Sequence, residues 1–171
     1  MRLFLGIDLP QEIKKSVHEY LVPLQKSSKG WENPHDYHQT LLFIGETSLE
    51  TIDIIRKRLQ MIKIDPFEVE TNGLHFFNRR IMYLGFKPSL ELLKLKNLVE
   101  AHYPEWLRKE AKEFIPHVTV KRWQRYEFDD LAKGIENPMR NLTFTVNHIA
   151  LFKSEKDSHN NKYHIVEKRF F

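Results

Sequence analysis

The residues with the clearest chemical potential form a tripeptide of the type His-x-Thr that occurs twice. The first copy spans His38 to Thr40, and the second spans His117 to Thr119. Both copies begin an apolar, β-rich stretch, and residues two apart on a strand point to the same face. Each copy therefore places an imidazole beside a hydroxyl. Two such units facing each other would suit acid–base chemistry on a phosphate.

The chemistry expected of these four side chains follows from their ordinary properties. Because the pKa of histidine lies near neutrality, one imidazole can act as a base while the other acts as an acid. The two threonine hydroxyls would donate hydrogen bonds to phosphate oxygens as charge develops. His35 and His38 are three residues apart, but no third histidine or carboxylate has a spacing that would complete a metal site. We therefore expect neither a metal nor a cofactor.

The 171-residue chain has a composition typical of a folded protein, with 41% hydrophobic residues and no cysteine. The lack of cysteine excludes disulfides, thiolate metal sites and cysteine nucleophiles, and it fits a cytoplasmic protein. A net charge of +4 favours an anionic partner such as nucleic acid. Asp8 and Pro10 end the first apolar run too early for a signal peptide, and no stretch is long enough to span a membrane. We expect a cytoplasmic monomer.

The elements that must position the two motifs are strands and helices in mixed order. Helices are predicted from Pro10 to Gln25, from a cap at Thr47 or Ser48 to Ile62, and from Pro88-Ser89 to about His102. Strands are predicted over Arg2–Asp8, Tyr37–Ile44, Phe67–Thr71, Leu74–Phe77, Ile81–Phe86, Ile115–Arg122, Leu142–Phe152 and Tyr163–Lys168.

This order favours an α+β fold of mostly antiparallel sheets with helices on the outside. It has no glycine-rich phosphate loop and no strict βαβ alternation, so a doubly wound dinucleotide fold is disfavoured. His38 and His117 are 79 residues apart, near half the chain. We therefore predict one bilobal domain over residues 1–171, duplicated about a pseudo-twofold axis, with one motif from each half.

Four blocks of the sequence match the pattern of a known family, and they are Arg2–Pro10, His38–Glu46, Phe77–Gly85 and Pro116–Arg122. These blocks resemble the 2H phosphoesterase superfamily, and most closely its RNA 2′,3′-cyclic phosphodiesterase branch, the LigT-like proteins historically named 2′-5′ RNA ligases. The tail with Ser154 and Tyr163 is similar more loosely, because it lacks the branch's usual glycine. Tyr37 and Gln39 also depart from the branch's pattern, but they lie at odd offsets from the motif histidine and threonine and should affect packing only.

The resemblance implies a central cleft lined by both motifs, with Phe4, Phe43, Arg122 and Tyr163 as substrate-binding residues beside the catalytic histidines and threonines. Phe43 and Arg122 each follow a motif histidine by five residues. An odd offset places them on the opposite face of a regular strand from that histidine. A bend or bulge near the end of each strand would turn them back into the cleft.

The activity implied by the resemblance is metal-independent hydrolysis of a terminal RNA 2′,3′-cyclic phosphate, with tRNA-related ends among the substrates. The 3′ oxygen would leave and a 2′-phosphomonoester would remain. We favour His117 as base and His38 as acid, although the pseudosymmetry leaves both assignments open. The same residues could catalyse minor 2′-5′ ligation in reverse. The alternatives are a phosphodiesterase for small cyclic nucleotides, and a non-catalytic RNA-binding module, against which the intact His and Thr pairs argue.

Overall fold

Two four-stranded antiparallel sheets and three α-helices make up a computed structural model of the chain, which describes residues 1–25, 30–107, 113–122, 138–156 and 161–171. The strands are β1 (Arg2–Asp8), β2 (His38–Glu46), β3 (Phe67–Phe77), β4 (Ile81–Phe86), β5 (His117–Arg122), β6 (Thr143–Val146), β7 (His148–Lys156) and β8 (Asn161–Phe170). The helices are α1 (Gln11–Leu21), α2 (Leu49–Met61) and α3 (Leu90–His102). Short 3₁₀ turns cover Val22–Gln25, Pro34–Asp36 and Pro104–Trp106.

The two sheets repeat one arrangement, which confirms the predicted duplicated α+β architecture. Strand order is β2-β1-β7-β8 in the first sheet and β5-β4-β3-β6 in the second. Each motif strand is therefore the edge strand of its sheet and pairs antiparallel with one neighbour. The two edge strands, β2 and β5, contact each other. This contact brings the two motifs to the same place.

Strand β1 is buried on both faces because almost every residue in it is apolar. Leu3, Leu5 and Ile7 join a large core cluster that also includes side chains of the second sheet. Phe4 points to the other face, where it stacks on Phe152 with ring centroids 4.8 Å apart. One face of this strand thus holds the core, and the other supports the site.

Helices α2 and α3 begin where their capping residues predict. The Ser48 side chain accepts a hydrogen bond from the backbone N–H of Thr51 at the start of α2. Ser89 accepts one from Leu92 at the start of α3. Such caps satisfy N–H groups that the first turn of a helix leaves unpaired. None of the helices in the described part of the chain is long and apolar enough to cross a membrane.

The prediction of a single strand over Leu142–Phe152 is wrong. The stretch contains two strands in different sheets, since β6 pairs with β3 while β7 pairs with β1. Asn147 separates them, and its carbonyl accepts a hydrogen bond from the backbone N–H of Phe171. Alternation over Leu142–Val146 gives way to the polar pair Asn147-His148 and then to a continuous apolar run, and this break marks the change of sheet.

Candidate active site

Each motif histidine stands at the first position of its strand and is held by the same hydrogen bond. His38 Nδ1 lies 2.6 Å from the carbonyl oxygen of Asp36, and His117 Nδ1 lies 2.8 Å from that of Ile115. A carbonyl oxygen can only accept, so Nδ1 carries the hydrogen in the neutral ring. Nε2 is then the nitrogen free to exchange a proton in both imidazoles.

Both motif strands carry a β-bulge at the same position, three residues after the histidine. The bulge leaves Leu41 of β2 without a partner in its register with β1, and Val120 of β5 without one on β4. An extra residue in a strand reverses the face on which the following side chains lie. Phe43 and Arg122 therefore return to the face of the histidines despite their odd offset.

A central cavity of about 340 Å³ lies between the two motif strands. It brings together all eight residues that the sequence analysis assigned to a site. Ser154, from the loosely matching tail, also lines it. The eight residues are Phe4, His38, Thr40, Phe43, His117, Thr119, Arg122 and Tyr163.

Tyr37 and Gln39, which the sequence analysis assigned to packing, are both buried. Neither lines the central cavity. Arg2, Glu32 and Asp36 do line it, and the sequence analysis did not identify them. Arg2 begins one of the blocks that carry the resemblance and Asp36 lies two residues before His38, whereas Glu32 lies outside every block, so only the tertiary structure could place it in the cavity.

Arg122 is fixed beside Thr119 by contacts from a distant part of the chain. Its Nε donates to a carboxylate oxygen of Glu32 at 2.8 Å, and its Nη2 lies 3.5 Å from the Thr119 hydroxyl. Its backbone N–H donates to the carbonyl oxygen of Gly30. Gly30 has a φ of +89°, and a Cβ there would lie 1.9 Å from the carbonyl oxygen of Arg122. Glycine is therefore required for this close approach.

Burial controls the ionisation of both imidazoles. His38 lies against the rings of Phe4 and Tyr163, each 4.7 Å away between centroids. Burial is the main cause that lowers the pKa of His38, to about 4. His117 lies 5.1 Å from the ring of Phe77 and 5.5 Å from that of Tyr83, and burial lowers its pKa as well. Both rings are therefore neutral near pH 7 in the free chain.

The central cavity thus offers two neutral imidazoles, the hydroxyls of the two motif threonines and the fixed guanidinium of Arg122. These groups can bind an anion and exchange protons with it. Within the described ranges, no three histidine, aspartate or glutamate side chains lie close enough to hold a metal ion. The expectation of a reaction without metal stays a prediction.

Comparison with known proteins identifies relatives of this chain. The sequence model of one protein family, the 2′-5′ RNA ligase superfamily, matches residues 9–158. An RNA 2′,3′-cyclic phosphodiesterase of Archaeoglobus fulgidus is 33% identical over 131 residues, which cover 73% of this chain and 74% of that protein. The enzyme of the same name from Thermotoga maritima is 28% identical over 148 residues, covering 81% and 79%.

Two solved structures share the fold. The crystal structure of TT0787 from Thermus thermophilus superposes with a TM-score of 0.81 at 23% identity, covering 99% of this chain and 97% of that one. Apo LigT from E. coli superposes with a TM-score of 0.80 at 20% identity, covering 99% and 96%. At these identities the likeness describes the fold alone.

Proposed function

This chain belongs to the 2′-5′ RNA ligase superfamily, and from that premise we propose that it is an RNA 2′,3′-cyclic phosphodiesterase, a hydrolase of phosphoric diesters. The names of its relatives support the substrate class. The observation that carries the proposal is the paired arrangement of His38 and His117. Both imidazoles are anchored through Nδ1 and line the same cavity.

Hydrolysis needs one imidazole to take a proton and the other to supply one. In the assignment we favour, His117 Nε2 removes a proton from water as the oxygen attacks phosphorus. The bond between phosphorus and the 3′ oxygen breaks, and His38 delivers a proton to that oxygen. The product is a 2′-phosphomonoester with a free 3′ hydroxyl. Proton exchange with solvent then restores the two rings.

His38 must be protonated before it can act as the acid. With a pKa of about 4 in the free chain, it is neutral at pH 7. A bound cyclic phosphate brings a negative charge into the cavity, and a nearby negative charge favours imidazolium. Substrate binding therefore raises the pKa of His38, in the direction that the acid role needs.

The remaining polar groups would stabilise the phosphate as charge moves onto its oxygens. The hydroxyls of Thr40 and Thr119 are suited to donate to the two non-bridging oxygens. The Arg122 guanidinium adds a positive charge beside Thr119. A fixed guanidinium needs little reorganisation during the reaction, because Glu32 already orients it.

The aromatic side chains at the cavity would hold the nucleoside. Phe4, Phe43 and Tyr163 line it, and Phe43 is exposed. Aromatic rings bind bases by stacking without strong sequence preference. We assign Phe43 to the terminal base, and we assign Phe4 and Tyr163 to the side of the nucleotide next to His38.

The proposal extends to the setting of the reaction. All eight assigned residues come from one chain, so a monomer suffices for the site. We propose a cytoplasmic monomer that acts on RNA ends, including those of tRNA fragments, and that catalyses 2′-5′ ligation only as a minor reverse reaction. In dilute solution, water greatly outnumbers RNA hydroxyl ends, which favours hydrolysis.

The first test follows an oligoribonucleotide that ends in a 2′,3′-cyclic phosphate, incubated with the protein in excess EDTA and observed by phosphorus NMR. We expect the cyclic phosphate signal to be replaced by that of a 2′-phosphomonoester. His38→Ala and His117→Ala should each lower turnover by at least ~10²-fold, the low end for one acid or base group. His102→Ala, outside the cavity, should not change it. An unchanged cyclic phosphate with folded protein would contradict the proposal.

A substrate with sulfur in place of the leaving 3′ oxygen separates the two histidine roles. A thiolate leaves without protonation, so loss of the acid should matter little. We expect His38→Ala to regain most of its lost rate on this substrate, whereas His117→Ala stays slow. The opposite pattern would reverse the assignment of base and acid.

A further inference from the structure

A second groove, of about 860 Å³, opens next to the central cavity. It lies between the motif strands and helix α3, and we call it the α3 groove. Thr40, Phe43 and His117 line both spaces. The groove therefore begins at the catalytic groups and leads away from them.

The floor of the α3 groove is apolar and accessible. Phe43 is 49% exposed, Leu93 45% and Ile115 43%, and all three line it. Phe77 and Phe114 add aromatic rings. Large apolar side chains that cluster on an accessible surface mark a binding site more often than isolated ones do.

The described residues that line the groove carry one ammonium, that of Lys96, and two carboxylates, those of Glu100 and Glu113, so the floor suits an uncharged base rather than a phosphate. Lys96 is the only lysine or arginine among the described residues that line it. Its ammonium pairs with Glu100 and lies 5.5 Å from the centre of the Phe114 ring. The amide of Asn97 also lines the groove and can hydrogen-bond to the edge of a base.

Positive charge instead stands at the rim. Asn78 and Ile81 line the groove, so the intervening Arg79–Arg80 turn of the β3–β4 hairpin lies beside it. Arg79 and Arg80 are both exposed. Aromatic surfaces beside basic side chains are how proteins bind single-stranded nucleic acid.

We propose that the α3 groove binds the nucleotide on the 5′ side of the one that carries the cyclic phosphate. Its base lies on Leu93 and Ile115, beyond the Phe43 ring that takes the terminal base, and its phosphate lies towards Arg80. This inference rests on the proposed function. The central cavity, at about 340 Å³, lies at the small end of ligand sites and has room for the terminal nucleotide alone. A longer RNA must leave that cavity, and the α3 groove continues directly from it.

Two substrates test the inference: cytidine 2′,3′-cyclic phosphate, and a trinucleotide that ends in the same cyclic nucleotide. We expect Leu93→Glu to lower kcat/KM for the trinucleotide by about fivefold or more, the low end for losing one stacked base. The mononucleotide should be turned over as before. Leu90→Glu is the matched control, because Leu90 lies on the same helix, is exposed, and does not line the groove.

Arg80→Ala tests the rim. It should raise KM for the trinucleotide. It should also reduce the slope of log kcat/KM against log salt concentration by about one, the value for one phosphate contact. Arg140→Ala removes the same charge from an exposed residue outside the groove and should do neither.

The outcomes separate the inference from the proposed function. An equal loss on both substrates, or no loss from Leu93→Glu, would overturn the groove assignment. If the unmodified chain cleaves neither substrate, the proposed function fails. Fluorescence anisotropy with a trinucleotide bearing an uncleavable 3′-phosphate then decides the groove by itself. Weaker binding to Leu93→Glu than to Leu90→Glu would support it, and equal binding would overturn it.

Discussion

At the scale of single residues, Glu32 shows how a side chain outside both motifs sets the charge of the site. Its carboxylate receives the Arg122 hydrogen bond at the edge of the central cavity. Burial raises the pKa of Glu32, and the neighbouring guanidinium opposes that rise. The pair holds Arg122 in place while leaving Nη2 near Thr119. The reacting phosphate would thus meet a positive group that is already oriented.

The lowered pKa values of the two histidines predict a pH profile for kcat/KM, which reports ionisation in the free chain. The active form holds one proton on the pair. Burial lowers the pKa of both rings, that of His38 to about 4, so the singly protonated form is lost as pH rises towards neutrality. We expect a maximum of kcat/KM below pH 6.5 and a fall on the acidic side near pH 4.

Steady-state rates from pH 3.5 to 9 would measure this profile, with circular dichroism to verify folding at each pH. The profile of kcat should lie at higher pH than that of kcat/KM, because bound phosphate stabilises imidazolium. A kcat/KM maximum above pH 7 would contradict the ionisation described for the two rings.

At the scale of elements, the matched bulges in β2 and β5 decide what the cavity contains. Without them, Phe43 and Arg122 would point away from His38 and His117. The bulges occur three residues after each histidine in both strands. The duplication therefore extends beyond the tripeptides to a local backbone irregularity, which serves the site rather than the sheet.

Gly6 is expected to control the position of the first motif. It pairs with Thr40, and a Cβ at this position would lie 2.7 Å from the carbonyl oxygen of Gln39. Backbone cannot yield as a side chain can, so Gly6→Ala should displace β2. We expect about 1–3 kcal/mol of lost stability, typical of overpacking, together with reduced kcat.

Gly85→Ala provides the comparison, since Gly85 pairs with His117 in the other sheet. The atoms that its Cβ would meet belong to the side chains of Asn72 and His75. These side chains can rotate away, so the substitution should cost less than Gly6→Ala. Urea denaturation and steady-state kinetics of both variants would measure the difference. Equal losses would contradict the role given to the Gln39 backbone.

At the scale of the whole molecule, one core and one buried charge cluster connect the parts. The main core cluster contains residues of both sheets, such as Leu5 and Val118. This shared core favours a single cooperative unit over residues 1–171, which stays a prediction. Asp8 accepts hydrogen bonds from Lys14 at 2.6 Å and Lys168 at 2.8 Å. The cluster therefore joins β1, α1 and β8 next to His38, with which Asp8 pairs in the register of β1 and β2.

Asp8→Asn is expected to destabilise the fold strongly. The side chains of Asp8 and Lys14 are only 11% and 5% exposed, so the variant would leave buried positive charge without a counter-ion. Loss of one partner from such a pair costs about 3–5 kcal/mol. Glu19→Gln, which removes an exposed partner of Lys15, should cost about 1 kcal/mol or less. Urea denaturation at pH 7 would compare the two variants.

The pH dependence of this loss follows from the ionisation of Asp8. Burial alone would raise the pKa of Asp8, but the two ammonium groups together lower it. A lowered carboxyl pKa adds stability above the unfolded value of about 3.9, and this stability disappears as pH falls through the folded pKa. The difference in free energy of unfolding between Asp8→Asn and the unmodified chain should therefore shrink below pH 4. If Asp8→Asn loses no more free energy of unfolding at pH 7 than Glu19→Gln does, the role given to the cluster is wrong.

Much of the local structure could be predicted from the sequence, because it depends on neighbours along the chain. Periodicity and caps located α2 and α3, and a short apolar run located β1 to its last residue. The prediction failed at Asn147, where the chain changes sheets although the residues on either side are both typical of a strand. The bulges were required by the resemblance, but regular alternation gave no position for them.

The sequence by itself determined the reactive groups of this protein, since two residues apart on a strand share a face whatever the rest of the chain does. Only the tertiary structure decided that the two motifs meet, that Glu32 holds Arg122 from 90 residues away, and that an apolar groove continues from the cavity. The tertiary structure also decided the ionisation of the two histidines. Burial and ion pairing depend on atoms that folding brings together from distant positions, and no local pattern encodes them.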